Sequence, residues 1–206
     1  MSACIVTGAS RGIGKAIALD LRAAGFEVVA CASSGPPDLP GIACVRCDVS
    51  DEGQVRALFA RKAEIVVLNA GVLERGPIES FSAAQFDQVL GVNLRGAFLC
   101  AREAFRAGAR RIVAVGSISG TLGTAHSAAY NASKWGLTGL MKSLAEEGRE
   151  RNIFCATVLP SGVDTDMIKK TPFAPAMQPA DVARVVRFLC TEAPFAMTGS
   201  AVEVFG

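Results

Sequence analysis

The sequence predicts an α/β domain in which helices cover both faces of a parallel sheet. Three observations carry this expectation. Apolar, β-branched runs alternate along the whole chain with stretches of helical period. A glycine-rich turn, "TGASRGIG", follows the first such run and opens the first helical one. The chain has 206 residues, 50% hydrophobic and 19% charged, and one core can serve about 200–250 residues in an α/β fold. A chain of this length buries roughly 70% of its unfolded surface and needs no disulfide framework.

The stretch "IVTGASRGIGKAIALDL" reads as strand, turn and amphipathic helix, with the strand near 3–7 and the helix near 12–24. A second strand is expected near 27–32. It is followed by "SSGPPDLPG" (33–41), which has turn chemistry and no period, and so is a loop. "IACVRCDV" supplies a third strand near 42–47, and "DEGQVRALFARKA" one short helix near 51–61. A fourth strand follows near 64–69. "SAAQ" (82–85) is a capping box that opens a long helix near 82–107. Strands near 110–116, 152–158 and 200–205 then alternate with helices near 127–150 and 180–191. Such alternation means right-handed crossovers between parallel strands. No repeat, low-complexity tract or linker interrupts the pattern, so residues 1–206 are expected to form a single dinucleotide-binding and catalytic domain.

Net charge is +2. The absence of a basic block argues against nucleic acid or an anionic membrane as partner. The start, "MSACIVTGAS", lacks a cationic leader before its apolar run and reads as a first strand, not a signal peptide. No apolar run reaches the ~18 residues that span a bilayer. The seven cysteines are odd in number and scattered, as suits free buried thiols in a reducing cytoplasm. "CVRC" (44–47) resembles a redox or zinc pair. On a strand, however, residues three apart face opposite ways, and no second Cys or His pair completes a metal site. These thiols are expected to be structural, and no metal is expected.

Gly8, Gly12 and Gly14 meet the needs of a dinucleotide turn. The chain turns tightly, its backbone can approach a pyrophosphate, and a helix N-terminus points at the charge. Position in the chain strengthens the reading, because the turn follows a first strand and opens a helix. An NAD-preferring fold usually ends its second strand with a carboxylate for the ribose 2′-hydroxyl. Here Glu27 comes too early and Asp38 too late, and the place itself offers Ala32, Ser33 and Ser34. Nothing there repels a 2′-phosphate, and Arg11 in the turn can neutralise one. NADP(H) is therefore expected over NAD(H).

From these residues onward the chain resembles the short-chain dehydrogenase/reductase family, with motifs in order along most of its length. "TGASRGIG" is similar to the family's cofactor turn, which implicates Ser10, Arg11 and Ile13 beside the glycines. "CDVS" (47–50) matches its adenine-side pair, Asp48 and Val49. "NAG" gives Asn69, Ala70 and Gly71, and "VNLRG" carries the family's helix asparagine, Asn93. "VGSISG" supplies Ser117, and "YNASK" supplies Tyr130 and Lys134. After the sixth strand, Pro160, Gly162, Val163 and Thr165 correspond to nicotinamide-side positions. The resemblance is closest to 3-oxoacyl-thioester reductases that use NADPH. It implies a Rossmann-type sheet ordered 3-2-1-4-5-6-7, and a homodimer or homotetramer formed through the helices near 82–107 and 127–150. Phe98, Leu99 and Phe105 would lie either at that interface or against the sheet.

Tyr130 and Lys134 stand four apart, on one helix face. A free phenol titrates near ~10, and a neighbouring ammonium and the oxidised nicotinamide are both expected to lower it. Tyr130 then serves as acid and base between a carbonyl and an alcohol, typically worth ~10²–10⁴ in rate. The resemblance further implies that Lys134 holds the nicotinamide ribose, that Ser117 binds the substrate oxygen, and that Asn93 holds a water leading from Lys134 to solvent. His126, the only histidine, is read as part of the approach to this helix. Ser119 is read as a supporting hydroxyl, and Trp135 as packing or interface.

The chain is shorter than typical members of the family. It is trimmed between the third and fourth strands and again after "LPSGVDTDM", the region that forms the family's substrate lid. Three functions compete. The first is an NADP(H)-dependent carbonyl reductase, with 3-oxoacyl thioesters among its substrates. The second is an NAD-dependent alcohol or sugar dehydrogenase. The third is a non-catalytic nucleotide-binding sensor or scaffold, against which the intact set of Asn93, Ser117, Tyr130 and Lys134 argues. Lys169 and Lys170 are candidate contacts for an acidic carrier partner, or simply a solvated loop.

Overall fold

The computed structural model describes residues 3–206. Met1 and Ser2, part of the start read against a signal peptide, lie outside the described residues. Seven parallel strands form one sheet: β1 (Ala3–Thr7), β2 (Glu27–Ala32), β3 (Ala43–Arg46), β4 (Ile65–Leu68), β5 (Arg111–Val115), β6 (Phe154–Pro160) and β7 (Ala201–Val204). Their spatial order is 3-2-1-4-5-6-7, all pairs parallel, as the resemblance implies. β4 and β6 are buried along their whole length, which is why they read as unbroken apolar runs. The edge strands β3 and β7 are partly exposed.

Six α-helices cover the sheet: α1 (Gly12–Ala23), α2 (Glu52–Phe59), α3 (Ala83–Leu90), α4 (Gly96–Ala107), α5 (Ala128–Gly148) and α6 (Pro179–Thr191). On one face Ile17 and Leu21 of α1 and Val186 and Leu189 of α6 pack over β1, β2 and β6. On the other, α2, α4 and α5 bring Val55, Leu99, Leu137 and Met141 against the same strands. Leu99 and Phe105 belong to that core, while Phe98 of the same helix is 43% exposed. Of the apolar residues expected at either an interface or the sheet, Leu99 and Phe105 face the sheet and Phe98 faces away from it. Cys44 and Cys47 pack on opposite faces, as strand geometry requires. All seven cysteines are free thiols.

One element departs from expectation. The helix predicted over 82–107 is two α-helices joined by a π turn, Gly91–Arg95. Its capping box forms as predicted: Ser82 Oγ accepts the Gln85 amide at 3.2 Å, and Gln85 Oε1 accepts the Ser82 amide at 3.0 Å. A π turn inserts a residue without breaking the apolar pattern, so hydrophobic period alone does not reveal it. Among the described residues no helix is long and apolar enough to cross a membrane. β1 lies between β2 and β4, so chain direction across the sheet reverses there, and a crevice opens beyond the carboxyl ends of β1 and β4.

Candidate active site

The turn after β1 exists because three positions there cannot carry a side chain. Gly8 and Gly12 have φ of +65° and +54°, a region that favours glycine. A Cβ on Gly8 would lie 2.7 Å from the Ala70 Cα, and one on Gly14 would strike Asn69 Nδ2 and the Gly8 carbonyl. The turn after β1 and the turn after β4 therefore interlock. Asn69 Nδ2 donates to the carbonyls of Thr7 (2.9 Å) and Gly8 (3.0 Å). Thr7 Oγ1 accepts the amides of Asn69 (3.0 Å) and Ala70 (3.1 Å) and donates to the Val67 carbonyl at 3.3 Å.

This cradle leaves donors pointing outward. Asp51, Ser82 and the Gln178–Asp181 pair cap α2, α3 and α6 with their side chains. The N-terminus of α1 has neither a side-chain cap nor an acidic residue in its first turn. Its free amides and dipole suit an anion, and a dinucleotide pyrophosphate fits the turn. The cleft measures about 450 Å³. Gly8, Ser10, Arg11, Gly12, Ile13, Gly14, Ser33, Asp48, Val49, Asn69, Ala70, Gly71 and Thr165 all line it. Asp48 is steadied by Ser50, whose amide and hydroxyl donate to its Oδ1 at 2.9 and 2.7 Å. Pro160, Gly162 and Val163 stand behind the wall instead. Pro160 ends β6, and Val163 is buried in the core, bridged to Met177.

The four residues expected to carry chemistry come together beyond Gly71. Ser117 follows β5, Tyr130 and Lys134 lie in the first turns of α5, and Asn93 sits inside the π turn. The Ser117 hydroxyl lies near enough to the Tyr130 phenol to favour its charged form, and Ser117 Oγ accepts the Ser119 amide at 3.1 Å. The Lys134 ammonium lies 5.6 Å from the centre of the Tyr130 ring and donates to the Val115 carbonyl at 3.0 Å. Gly71, on the cleft wall, has room beside it for Asn93 Oδ1 and Lys134 Nζ, 3.4 and 3.8 Å from where its Cβ would stand. Asn93 Oδ1 accepts the Val72 amide at 2.8 Å, while its Nδ2 donates to the Val72 carbonyl (2.9 Å) and to Ser133 Oγ (3.0 Å). Its amide thus docks the π turn onto both the end of β4 and α5.

The expected effect of the ammonium on the phenol is corrected here. Burial pushes the Tyr130 hydroxyl above its usual value, and the pull in the other direction comes from the nearby Ser117 hydroxyl, not from Lys134. Burial pushes Lys134 itself down to about 8. Both charged forms lose water in the same enclosure. The ammonium sits beside the ring and is bonded to the Val115 carbonyl.

Two residues that the sequence gave no reason to single out complete the enclosure. Met167 lies in the segment 161–178 and lines the cleft, and Tyr130 Oη reaches its Sδ at 3.9 Å. Arg75 bonds to the loop before α5 and to the segment 161–178. Its Nε donates to Ser127 Oγ at 3.1 Å, and its two terminal nitrogens donate to the carbonyls of Ala125 (3.1 Å) and Lys170 (3.5 Å). His126 is exposed, has φ of +62° and accepts the Gly76 amide at 3.0 Å, so it shapes this loop through its backbone. Met167 and Tyr130 are 37 positions apart, and no local pattern connects them. The one available signal was the neighbourhood of Arg75 just after "NAG".

Comparison with known proteins adds to this geometry. Residues 2–174 match the family model for short chain dehydrogenases. The chain is 36% identical over 225 aligned positions to the 3-oxoacyl-[acyl-carrier-protein] reductase MabA of Mycobacterium tuberculosis, covering 98% of this chain and 90% of that one. It is 33% identical to the (3R)-3-hydroxyacyl-CoA dehydrogenase of Homo sapiens, covering 98% and 93%. The solved structure of Thermoplasma acidophilum aldohexose dehydrogenase in ligand-free form superimposes with a TM-score of 0.92 at 28% identity, covering 98% and 92%.

Proposed function

The chain belongs to the short-chain dehydrogenase family of oxidoreductases, and from that premise we propose that it is an NADP(H)-dependent carbonyl reductase acting on 3-oxoacyl thioesters. The observation that carries the reading is the meeting of Ser117, Tyr130 and Lys134 beside Gly71 and Met167, two residues that line the same cleft as the glycine turn. The glycine turn, Asp48 and residues 69–71 would hold the dinucleotide, which when bound supplies the hydride. Ser117 Oγ hydrogen-bonds the substrate oxygen as charge develops on it. Tyr130 Oη gives that oxygen a proton, and in the reverse direction takes one from the alcohol. Burial keeps the phenol protonated, the form a reductase needs at the start of the step. Lys134 holds the nicotinamide ribose, while Asn93 positions Val72 and α5 beside it.

NADP(H) is favoured because Ser33 and Ser34 follow β2 at the cleft, with no carboxylate beside them. Val72, Leu73, Val92 and Met167 give the lining an apolar side, which suits an acyl chain better than a sugar. The aldohexose dehydrogenase likeness favours a second reading, an NAD-dependent sugar dehydrogenase. Monitoring NADPH and NADH consumption against 3-oxoacyl thioesters, ketones, quinones and sugars separates the two, and a clear preference for NADH with sugars would overturn the first. Tyr130→Phe should lower turnover by roughly 10²–10⁴ while leaving dinucleotide binding intact. Retention of most of the rate would remove Tyr130 from the mechanism.

A further inference from the structure

We infer that Arg46 determines cofactor choice by taking the 2′-phosphate of NADP(H), an inference that rests on the NADP(H) reading above. The ribose end of the cleft is formed by Ala32, Ser33 and Ser34, at and beyond the carboxyl end of β2. Arg46 is the last residue of β3 and lies opposite Ala32 in the parallel register. Its Nε–H donates to the Ser33 carbonyl at 3.2 Å, which tethers the head group to that rim.

The face it occupies follows from strand alternation. Val28 and Ala30 of β2 share a core cluster with Ile17 and Leu21 of α1, and Cys44 of β3 packs against the same cluster. Arg46, two residues beyond Cys44, projects to that face, and Arg11 is the N-cap of α1 there. Arg46 therefore stands beside Ser33 from β3, and Arg11 lines the same cleft from the glycine turn.

The two are not equivalent. Arg11 lies close enough to Asp166 to help hold that carboxyl below the usual carboxylate range, after the larger effect of Lys169. Arg46 enters no ion pair among the described residues, and its terminal nitrogens make no hydrogen bond there. A planar, unpaired guanidinium anchored by Nε leaves its other edge for the forked contact that phosphate oxygens accept. A neutral ribose hydroxyl gains far less from such a group, so Arg46 separates the two cofactors instead of binding both alike.

Calorimetric titration with 2′,5′-ADP and 5′-AMP tests this without turnover. The protein should bind 2′,5′-ADP more tightly than 5′-AMP. Arg46→Ala should weaken 2′,5′-ADP by on the order of ten- to a hundredfold and leave 5′-AMP unchanged. Unchanged 2′,5′-ADP affinity overturns the inference. So does equal weakening of both ligands, which would make Arg46 a brace for the β2–β3 loop. An unsubstituted protein that binds both ligands equally is a different failure, and it removes the NADP(H) reading itself.

Discussion

The glycine turn at 8–14 and the segment at 161–178 meet along the cleft, where Thr165 approaches Gly12, yet they are held in place by different means. Around the turn, Thr7 and Asn69 link the ends of β1 and β4 by hydrogen bonds, and a Cβ at Gly8 or Gly14 has no room. The segment is stitched mainly at its base, where Gly162 accepts the amides of Ala176 (2.8 Å) and Met177 (3.1 Å) and Met177 accepts that of Asp164 (2.8 Å). Beyond that base, Asp166, Lys169 and Lys170 are exposed, and the Lys169–Asp166 pair is one that solvent screens. A long bond from Arg75 to Lys170 ties it across the cleft. The wall formed by the glycine turn is therefore tightly interlocked, and the wall formed by the segment is more loosely tied. Local stability falls where buried contacts thin out, so the exposed part of the segment beyond Thr165 should open more readily than the turn.

Gly14→Ala should break the rigid wall outright. The new methyl meets the Gly8 carbonyl, which cannot shift without moving β1, so about 3 kcal/mol of stability should be lost along with dinucleotide binding. Denaturant unfolding and nucleotide titration would read both. Normal binding by this variant would show that the turn yields after all.

A smaller effect belongs to the floor between the walls. Lys134 is held at about 8 in the folded chain against an ordinary 10.5, so above about pH 8 the unfolded chain binds more protons than the folded one. Folding stability should therefore rise with pH across that window, by roughly 2–3 kcal/mol near pH 10. Lys134→Met should lack this rise. If both proteins follow the same pH curve, the ammonium is not desolvated as described.

Arg75→Ala should act most mildly and only on the looser wall, raising the substrate KM roughly fivefold with dinucleotide affinity unchanged. Arg75→Lys should restore part of the loss. Loss of dinucleotide affinity in Arg75→Ala would show that the two walls are coupled and would end the comparison.

Much of this architecture was legible because its causes are local. The Ser82–Gln85 box needs only a three-residue reach, and Tyr130 and Lys134 share a face by helix geometry alone. Gly8 and Gly12 sit where φ is positive, a demand written into residue type. The π turn at Gly91–Arg95 was not legible, because a single inserted residue leaves the apolar period nearly unchanged. Arg75, Met167 and Arg46 were passed over because their partners lie on other elements.

Residue type and spacing by themselves determined the order of strands and helices along the chain, the glycine turn that opens α1, and the shared helix face of Tyr130 and Lys134. These depend on neighbours within a turn or two along the chain, where covalent geometry limits the choices. Tertiary packing alone decided the direction of the Tyr130 and Lys134 shifts, the engagement of the Asn93 amide and the placement of the Arg46 guanidinium beside Ser33. Desolvation and long-range hydrogen bonds depend on what the folded chain brings within a few ångströms, and distance along the sequence carries almost no information about that.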